Sequence, residues 1–232
     1  MKNVRIDKFL ADNLNITRSE AQKLIKDKLI KMGGIVIKDP SIKVVGKVSY
    51  LDKVIENEEY SYYILNKPVG FVSSTSSKDG KSVLELINGR KDLKILGRLD
   101  IDTTGLLIIT NDGSFIHKVT SPKSDINKKY YVEVDKEFKY EYINEFKKGL
   151  DISIDGEIYH TKESILEIID SNSAYITISE GKYHQIKKMC AKFNLNVTKL
   201  HRIQIGSLIL DSNLKEGEYK KVDIKELNKI FE

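Results

Sequence analysis

Apolar residues recur at helical spacing near the start of the chain, at Ile6, Phe9, Leu10 and Leu14, and predict an amphipathic helix. Thr17-Arg18-Ser19-Glu20 has the form of a capping box and opens a second helix with the apolar stripe Ala21, Leu24 and Ile25. Gly33-Gly34 reads as a hairpin turn between short strands at 30–32 and 35–37, and Asp39-Pro40 closes the pair. The stretch 47–59 ends in a run of charge and reads as a linker. An aromatic-rich strand at 60–66 stops before Pro68, and 73–81 is a polar loop. A strand candidate at 94–96 precedes a continuous apolar run at 106–110, which reads as a buried strand ending in the turn Asn111-Asp112-Gly113. Further strands are expected at 129–134, 165–169, 174–179 and 197–202, and helices at 139–148, 183–193 and 224–231. Strands and helices do not alternate regularly, so the pattern is α+β and not a doubly wound sheet. It divides into a small domain with its linker, 1–57, and a larger domain, 58–232.

Composition narrows the class. With 40% hydrophobic and 31% charged residues, the 232-residue chain is too apolar to be disordered. No apolar run reaches membrane-spanning length, and the segment from Met1 to Ile6 is not a signal peptide. Cys190 is the single cysteine, which excludes an internal disulfide framework and a multi-cysteine metal site. A cytoplasmic monomer is expected. The net charge of +5 leans towards a polyanionic partner. Lysine dominates the bases, and the arginines are confined to Arg5, Arg18, Arg90, Arg98 and Arg202. Those few positions are candidates for sites that need a planar, bidentate fork.

Several chemistries lack their residues. There is no phosphate-binding loop of Walker type, no dinucleotide glycine fingerprint and no G-x-S-x-G elbow. His117, His160, His184 and His201 lack zinc spacing, and no metal site is expected. What stands out is Gly97-Arg98-Leu99-Asp100-Ile101-Asp102-Thr103-Thr104-Gly105-Leu106, where acids, hydroxyls and an arginine crowd between two strand candidates. Catalytic groups collect at such strand ends, although a tight Thr-stabilised turn has the same composition. In the expected helix 183–193, Ile186, Met189, Cys190 and Phe193 share one face and Lys187 shares another with His184. Cys190 is therefore expected to be an apolar filler, and His184 a hydrogen-bonding strut.

Two resemblances organise these residues. The run from Arg5 to Val44 resembles an S4 domain, a small RNA-binding module of αL-like fold, with Gly33-Gly34 in place of the usual Asn-Gly turn and Lys28 where many members have glycine. The basic face of its second helix implies RNA contacts from Arg5, Arg18, Lys23 and Lys26. GRLDIDTTGLL closely matches the signature of pseudouridine synthases of the RsuA type. Other segments resemble that family's motifs in the expected order: Asn66-Lys67-Pro68-Val69-Gly70-Phe71-Val72, Lys128-Lys129-Tyr130-Tyr131-Val132, Glu180 to Lys187, and Leu200-His201-Arg202. The resemblance implies a catalytic domain with a large mixed, mainly antiparallel sheet flanked by helices. It implies Asp100 as the catalytic aspartate, Tyr130 packed against the target base, Lys187 paired with the aspartate, and Leu200 as a wall of the base pocket.

The reaction so implied cleaves the N1 glycosidic bond of a uridine in ribosomal RNA and rejoins the ribose through C5. A carboxylate beside C1′ either attacks it or removes the C2′ proton, and the sequence leaves both routes open. A nearby Lys187 would keep that carboxylate ionised. No metal or cofactor is required. The base must leave its stack, and Arg98 is a candidate to hold flanking phosphates or fill the vacated space, or alternatively to pair with Asp102. Arg202 either binds phosphate or braces its motif. Asp102-Thr103-Thr104, the later Thr120-Ser121-Pro122 and a short end at Gly217-Glu218-Tyr219 lean towards small-subunit (16S) ribosomal RNA, free or in a partly assembled subunit. The alternatives are a large-subunit (23S) enzyme of the same family and a non-catalytic RNA-binding assembly factor.

Overall fold

The structure, a computed structural model, describes residues 4–55, 60–88, 92–121 and 124–232. The expected domain boundary at 57/58, Arg90 and Pro122 lie outside the described residues. The chain divides into two compact units, residues 1–60 with 88–93, and residues 61–87 with 94–232.

In the first unit the amphipathic pattern becomes α1 (Ile6–Leu14) and α2 (Arg18–Lys26). The capping box forms as read: Thr17 Oγ1 accepts from Glu20 N at 3.2 Å, and Glu20 Oε2 accepts from Thr17 N at 2.6 Å. Ile6, Phe9 and Leu10 of α1 close over Ala21 and Ile25 of α2 and over Ile30, Ile37 and Val48, giving this unit its own core. Gly33 and Gly34 both take positive φ, +59° and +85°, as a two-residue turn between β1 (Ile30–Met32) and β2 (Ile35–Val36) requires. Two strands that the pattern does not reveal, β3 (Val48–Tyr50) and β4 (Lys53–Val54), extend the sheet to the order β2-β1-β3-β4. They fall in the segment expected to be a linker.

Lys28 lies in the left-handed region, φ +61°. Its Cβ is crowded there in a way that glycine avoids. Lys28→Gly is expected to raise stability by about 0.5–1 kcal/mol, strain relief outweighing glycine's extra unfolded-state entropy. A urea melt of the full chain showing a loss of stability would contradict this.

The second unit is built on a mixed sheet. Its strands are β5 (Tyr62–Lys67), β6 (Lys94–Leu96), β7 (Thr104–Thr110), β8 (Lys128–Val134), β11 (Ser164–Ile168), β12 (Ser173–Ile178), β13 (Val197–Ile205), β14 (Leu208–Ile209) and β15 (Tyr219–Val222). The order is β11-β12-β8-β13-β7-β5-β15, with β6 added to β7 and β14 to β13. Every pairing is antiparallel except β7 with β13. β5 and β7 are buried along their whole length, which is why β7 reads as an unbroken apolar run. β8 and β12 alternate instead, with one face of each buried.

Helices α3 (Gly113–Thr120), α4 (Glu141–Lys148), α5 (Gln185–Ala191) and α6 (Ile224–Leu227) complete the unit, together with the hairpin β9 (Asp151–Ile154) and β10 (Glu157–His160). The expected helix 224–231 is α6 followed by a 3-10 turn, Asn228–Phe231. Asn111-Asp112-Gly113 does more than end β7: Asp112 caps α3, accepting from Ser114 N and Phe115 N. The expected helix 183–193 is shorter, α5, and Phe193, expected on its core face, lies half-buried beyond its end, stacked on Tyr142 of α4 with ring centroids 4.2 Å apart. Cys190 is fully buried, and burial pushes its thiol up to about 12, as a filler residue requires.

One detail of the topology positions the site. The same edge of β7 is shared by two strands: β13 pairs with Thr104 and Gly105, and β6 pairs with Ile108 to Thr110. The loop from Gly97 to Thr103, which joins β6 to β7, emerges where those two strands part.

Candidate active site

Backbone contacts hold the 97–103 loop in place. Ser73 Oγ accepts from Leu99 N at 3.0 Å and donates to Leu99 O at 2.9 Å, so one buried hydroxyl fixes the residue before Asp100. Gly70 N donates to Ile101 O at 2.9 Å, and Thr103 N turns back to Asp100 O at 3.1 Å. Lys67, fully buried, donates from Nζ to Thr103 O at 2.8 Å and Pro68 O at 3.0 Å, with Ile101 O at 3.5 Å. The segment 73–81, read as a polar loop, thus supplies a fixed hydroxyl to the site, and two short 3-10 turns lie within and after it.

These anchors present Asp100, about a third exposed, to a cavity of about 530 Å³. Arg98, Tyr130, Lys187 and Leu200 line the same cavity, so residues far apart in sequence converge there. Lys187 Nζ lies 3.2 Å from Asp100 Oδ2 and 2.6 Å from Asp102 Oδ1. Asp102 is therefore the second anchor of Lys187. Burial works against the charge of Asp102, but the hydrogen bond and charge of Lys187 outweigh it and hold the carboxyl below its usual range. Burial likewise opposes the charge on Lys187, and the two carboxylates raise its pKa in spite of it. An Arg98–Asp102 ion pair is not formed; Arg98 is exposed and Lys187 takes Asp102.

Tyr130 is 7% exposed and forms part of a row across the sheet, Lys67–Gly105–Arg202–Tyr130–Ile176. Arg202 lies in the middle of this row, beside Tyr130. It is 3% exposed, its Nε donates to Leu106 O at 2.8 Å, and its guanidinium carbon is 6.0 Å from the Tyr130 ring centroid. That hydrogen bond ties β13 to β7. On the first unit, Arg18, Lys23 and Lys26 are exposed along α2. Arg5 differs: Nε and an Nη engage the buried Asp7 at 3.2 and 2.9 Å, while the Arg5 side chain itself is exposed.

Two lysines, Lys67 fully buried and Lys128 half-buried, add a pH signature. Burial pushes Lys67 down to about 8 despite Asp102 and Asp100. Burial, aided by Arg202, pushes Lys128 down to about 8. Both bind protons less tightly in the folded chain than in the unfolded one, where lysine titrates near 10.5. The cost of burying their charge is full below about 8 and is relieved as pH rises, because the unfolded chain holds more protons between 8 and 10.5. Lys67→Met and Lys128→Met should each flatten this upward contribution to stability. Urea midpoints across that pH range check it, and identical slopes in wild type and both variants would refute it.

Comparison with known proteins follows the same division of the chain. The RNA pseudouridylate synthase profile matches residues 61–192, and the S4 domain profile matches residues 4–47. The ribosomal small subunit pseudouridine synthase A of Haemophilus influenzae is 37% identical over 232 residues, covering 98% of this chain and 99% of that protein. Its counterpart from Escherichia coli K12 is 34% identical, covering 97% and 98%. A crystal structure of a pseudouridylate synthase superposes with a TM-score of 0.70 at 37% identity, covering 98% of this chain and 99% of that one.

Proposed function

The chain belongs to the RNA pseudouridylate synthase family, with an S4 domain ahead of the synthase domain, and from that premise we propose that it converts a uridine of small-subunit (16S) ribosomal RNA to pseudouridine with Asp100 as the essential carboxylate. The observation that carries the catalytic reading is the convergence of Asp100, Lys187 and Tyr130 on one cavity. The full-length likeness to small-subunit enzymes supports the substrate.

Each group has a task in the reaction. Asp100 meets the electron-poor C1′ as nucleophile, or takes the C2′ proton, as N1 leaves with the bonding electrons. Lys187 holds the carboxylate ionised and oriented. Tyr130 offers a flat face on which the detached uracil turns, and Leu200 walls that space. The uracil anion then bonds to C1′ through C5, displacing the Asp100 carboxylate from C1′ on the first route, or bonding as Asp100 returns the proton to C2′ on the second; the C5 proton is then lost and N1 takes up a proton. Arg98, exposed at the cavity rim, is placed to hold a phosphate beside the extruded nucleotide. The enzyme works as a cytoplasmic monomer on free RNA or an assembling subunit.

Tritium release from RNA labelled at uridine C5 tests this, with small-subunit and large-subunit RNA in separate reactions. Release from the small-subunit RNA alone is the expected result. Release from large-subunit RNA alone would overturn the substrate assignment.

The S4 unit supplies the RNA grip through Arg18, Lys23 and Lys26. Replacing Arg18 and Lys26 with glutamate should weaken RNA binding at least about tenfold and reduce its salt slope by about 2, near one for each phosphate no longer neutralised. Filter binding over a salt series measures both, and an unchanged slope would remove the S4 unit from the interface.

A further inference from the structure

We propose that His184 is a positioning residue for the reaction: with Lys187 it engages a single oxygen of Asp100, Oδ2, and so presents Oδ1 as the reacting oxygen. This inference rests on the assignment of Asp100 as the essential carboxylate.

His184 does not continue α5 backwards. It takes a left-handed conformation, φ +54° and ψ +31°, directly before the helix. Such a conformation is strained for a residue with a side chain and persists only where its surroundings impose it. Here they do. Gln185, 4% exposed, accepts from Lys182 N through Oε1 at 2.9 Å, closing the turn 182–185 from inside. Its Nε2 donates to Glu180 Oε1 at 2.7 Å. Glu180 also accepts from Lys162 N at 3.0 Å and from the Tyr159 hydroxyl at 2.6 Å, which ties the turn to the β9–β10 hairpin. Glu180 and Gln185, singled out by sequence without a role, are the bracket that holds His184.

The bracket aims the imidazole. Its ring stacks on Tyr183 with centroids 3.9 Å apart and planes 18° from parallel. Its Nε2 comes to 3.6 Å from Asp100 Oδ2, just beyond hydrogen-bond length. Lys187 Nζ meets that same oxygen at 3.2 Å. Among the described residues no hydrogen bond reaches Asp100 Oδ1. The Lys187 hydrogen bond and the close imidazole on the same oxygen oppose rotation of the carboxylate and leave Oδ1 free for C1′ or for the C2′ proton. A fixed attack angle of this kind is a rate contribution that substrate affinity does not register.

The experiment separates the donor from the ring. His184→Phe keeps a planar ring to stack on Tyr183 and removes the donor. His184→Gln removes the ring and keeps an Nε2 donor at similar reach. Single-turnover tritium release from transcribed small-subunit RNA is measured at saturating enzyme, with filter-binding affinity and a thermal melt for each variant. The expected result is an approximately 100-fold slower rate for His184→Phe with affinity within about twofold of wild type, and recovery of most of the rate in His184→Gln. A fast Phe variant with a slow Gln variant would show that only the ring's packing matters and would overturn the proposal, as would two variants as fast as wild type. Asp100→Ala is run alongside: if it remains active, the assignment of the carboxylate fails, an outcome distinct from any result at position 184.

Discussion

Asp100→Ala should lower tritium release from uridine-labelled RNA by at least about 10⁴-fold, with RNA affinity and melting temperature close to wild type. The asymmetry follows from how the loop is held. Its anchors act on backbone atoms: Lys67 on the carbonyls of Pro68 and Thr103, Ser73 on both polar groups of Leu99, and Gly70 on Ile101 O. None of them touches the Asp100 side chain. Lys187 also retains a carboxylate, because Asp102 lies 2.6 Å from its Nζ, so removing Asp100 does not leave a bare buried charge. Asp100→Asn keeps the shape and loses the charge, and should be nearly as inactive. Appreciable turnover by either variant would mean that another group does the chemistry.

Gly105→Ala should be nearly as damaging, for a reason in the backbone. Gly105 has φ +106°, and a Cβ there would lie 2.3 Å from Arg202 O and 2.6 Å from Arg202 N. Those are main-chain atoms of β13, which cannot rotate aside as a side chain would. β13 would have to move off β7 at the pairing that brings Leu200 and Tyr130 up to the Asp100 loop. Overpacking combined with backbone strain should cost on the order of 3–5 kcal/mol. The residual folded protein should turn over slowly, because the two halves of the cavity would be out of register. Urea unfolding and tritium release on the same preparation test both parts. A variant within about 1 kcal/mol of wild type and fully active would show that β7 and β13 separate easily.

These two residues sit five apart in one motif, and the sequence speaks about them differently. The acid-rich run around Asp100 is chemically conspicuous, and its resemblance to a family motif singles out Asp100 over Asp102. Gly105 is conspicuous only once β13 is known to lie against it. The same contrast runs through the chain. The helices α1 and α2, the capping box at Thr17, the glycine turn of the first hairpin and the core strand β7 are readable because each depends on neighbours a few residues away. The β9–β10 hairpin, absent from the expected elements, does carry a local signal in Asp155-Gly156, with φ of +51° and +87°, between alternating apolar residues. β15, by contrast, has the weak pattern of an edge strand, and its partner β5 lies far earlier in the chain.

By itself, then, the sequence determined the α+β class and the local elements of the S4-like start, since these follow from local periodicity and turn chemistry, while the choice of Asp100 within its acid-rich run came from the resemblance of that run to a family motif. Only the tertiary structure decided which charges meet. It paired Lys187 with Asp102 as well as Asp100, across 85 and 87 residues. It buried Arg202 beside Tyr130, paired Arg5 with Asp7, and brought His184 near the carboxylate. Partner choice among charges depends on distances of a few ångströms set by strand register and sheet order, and no local pattern in the chain carries that information.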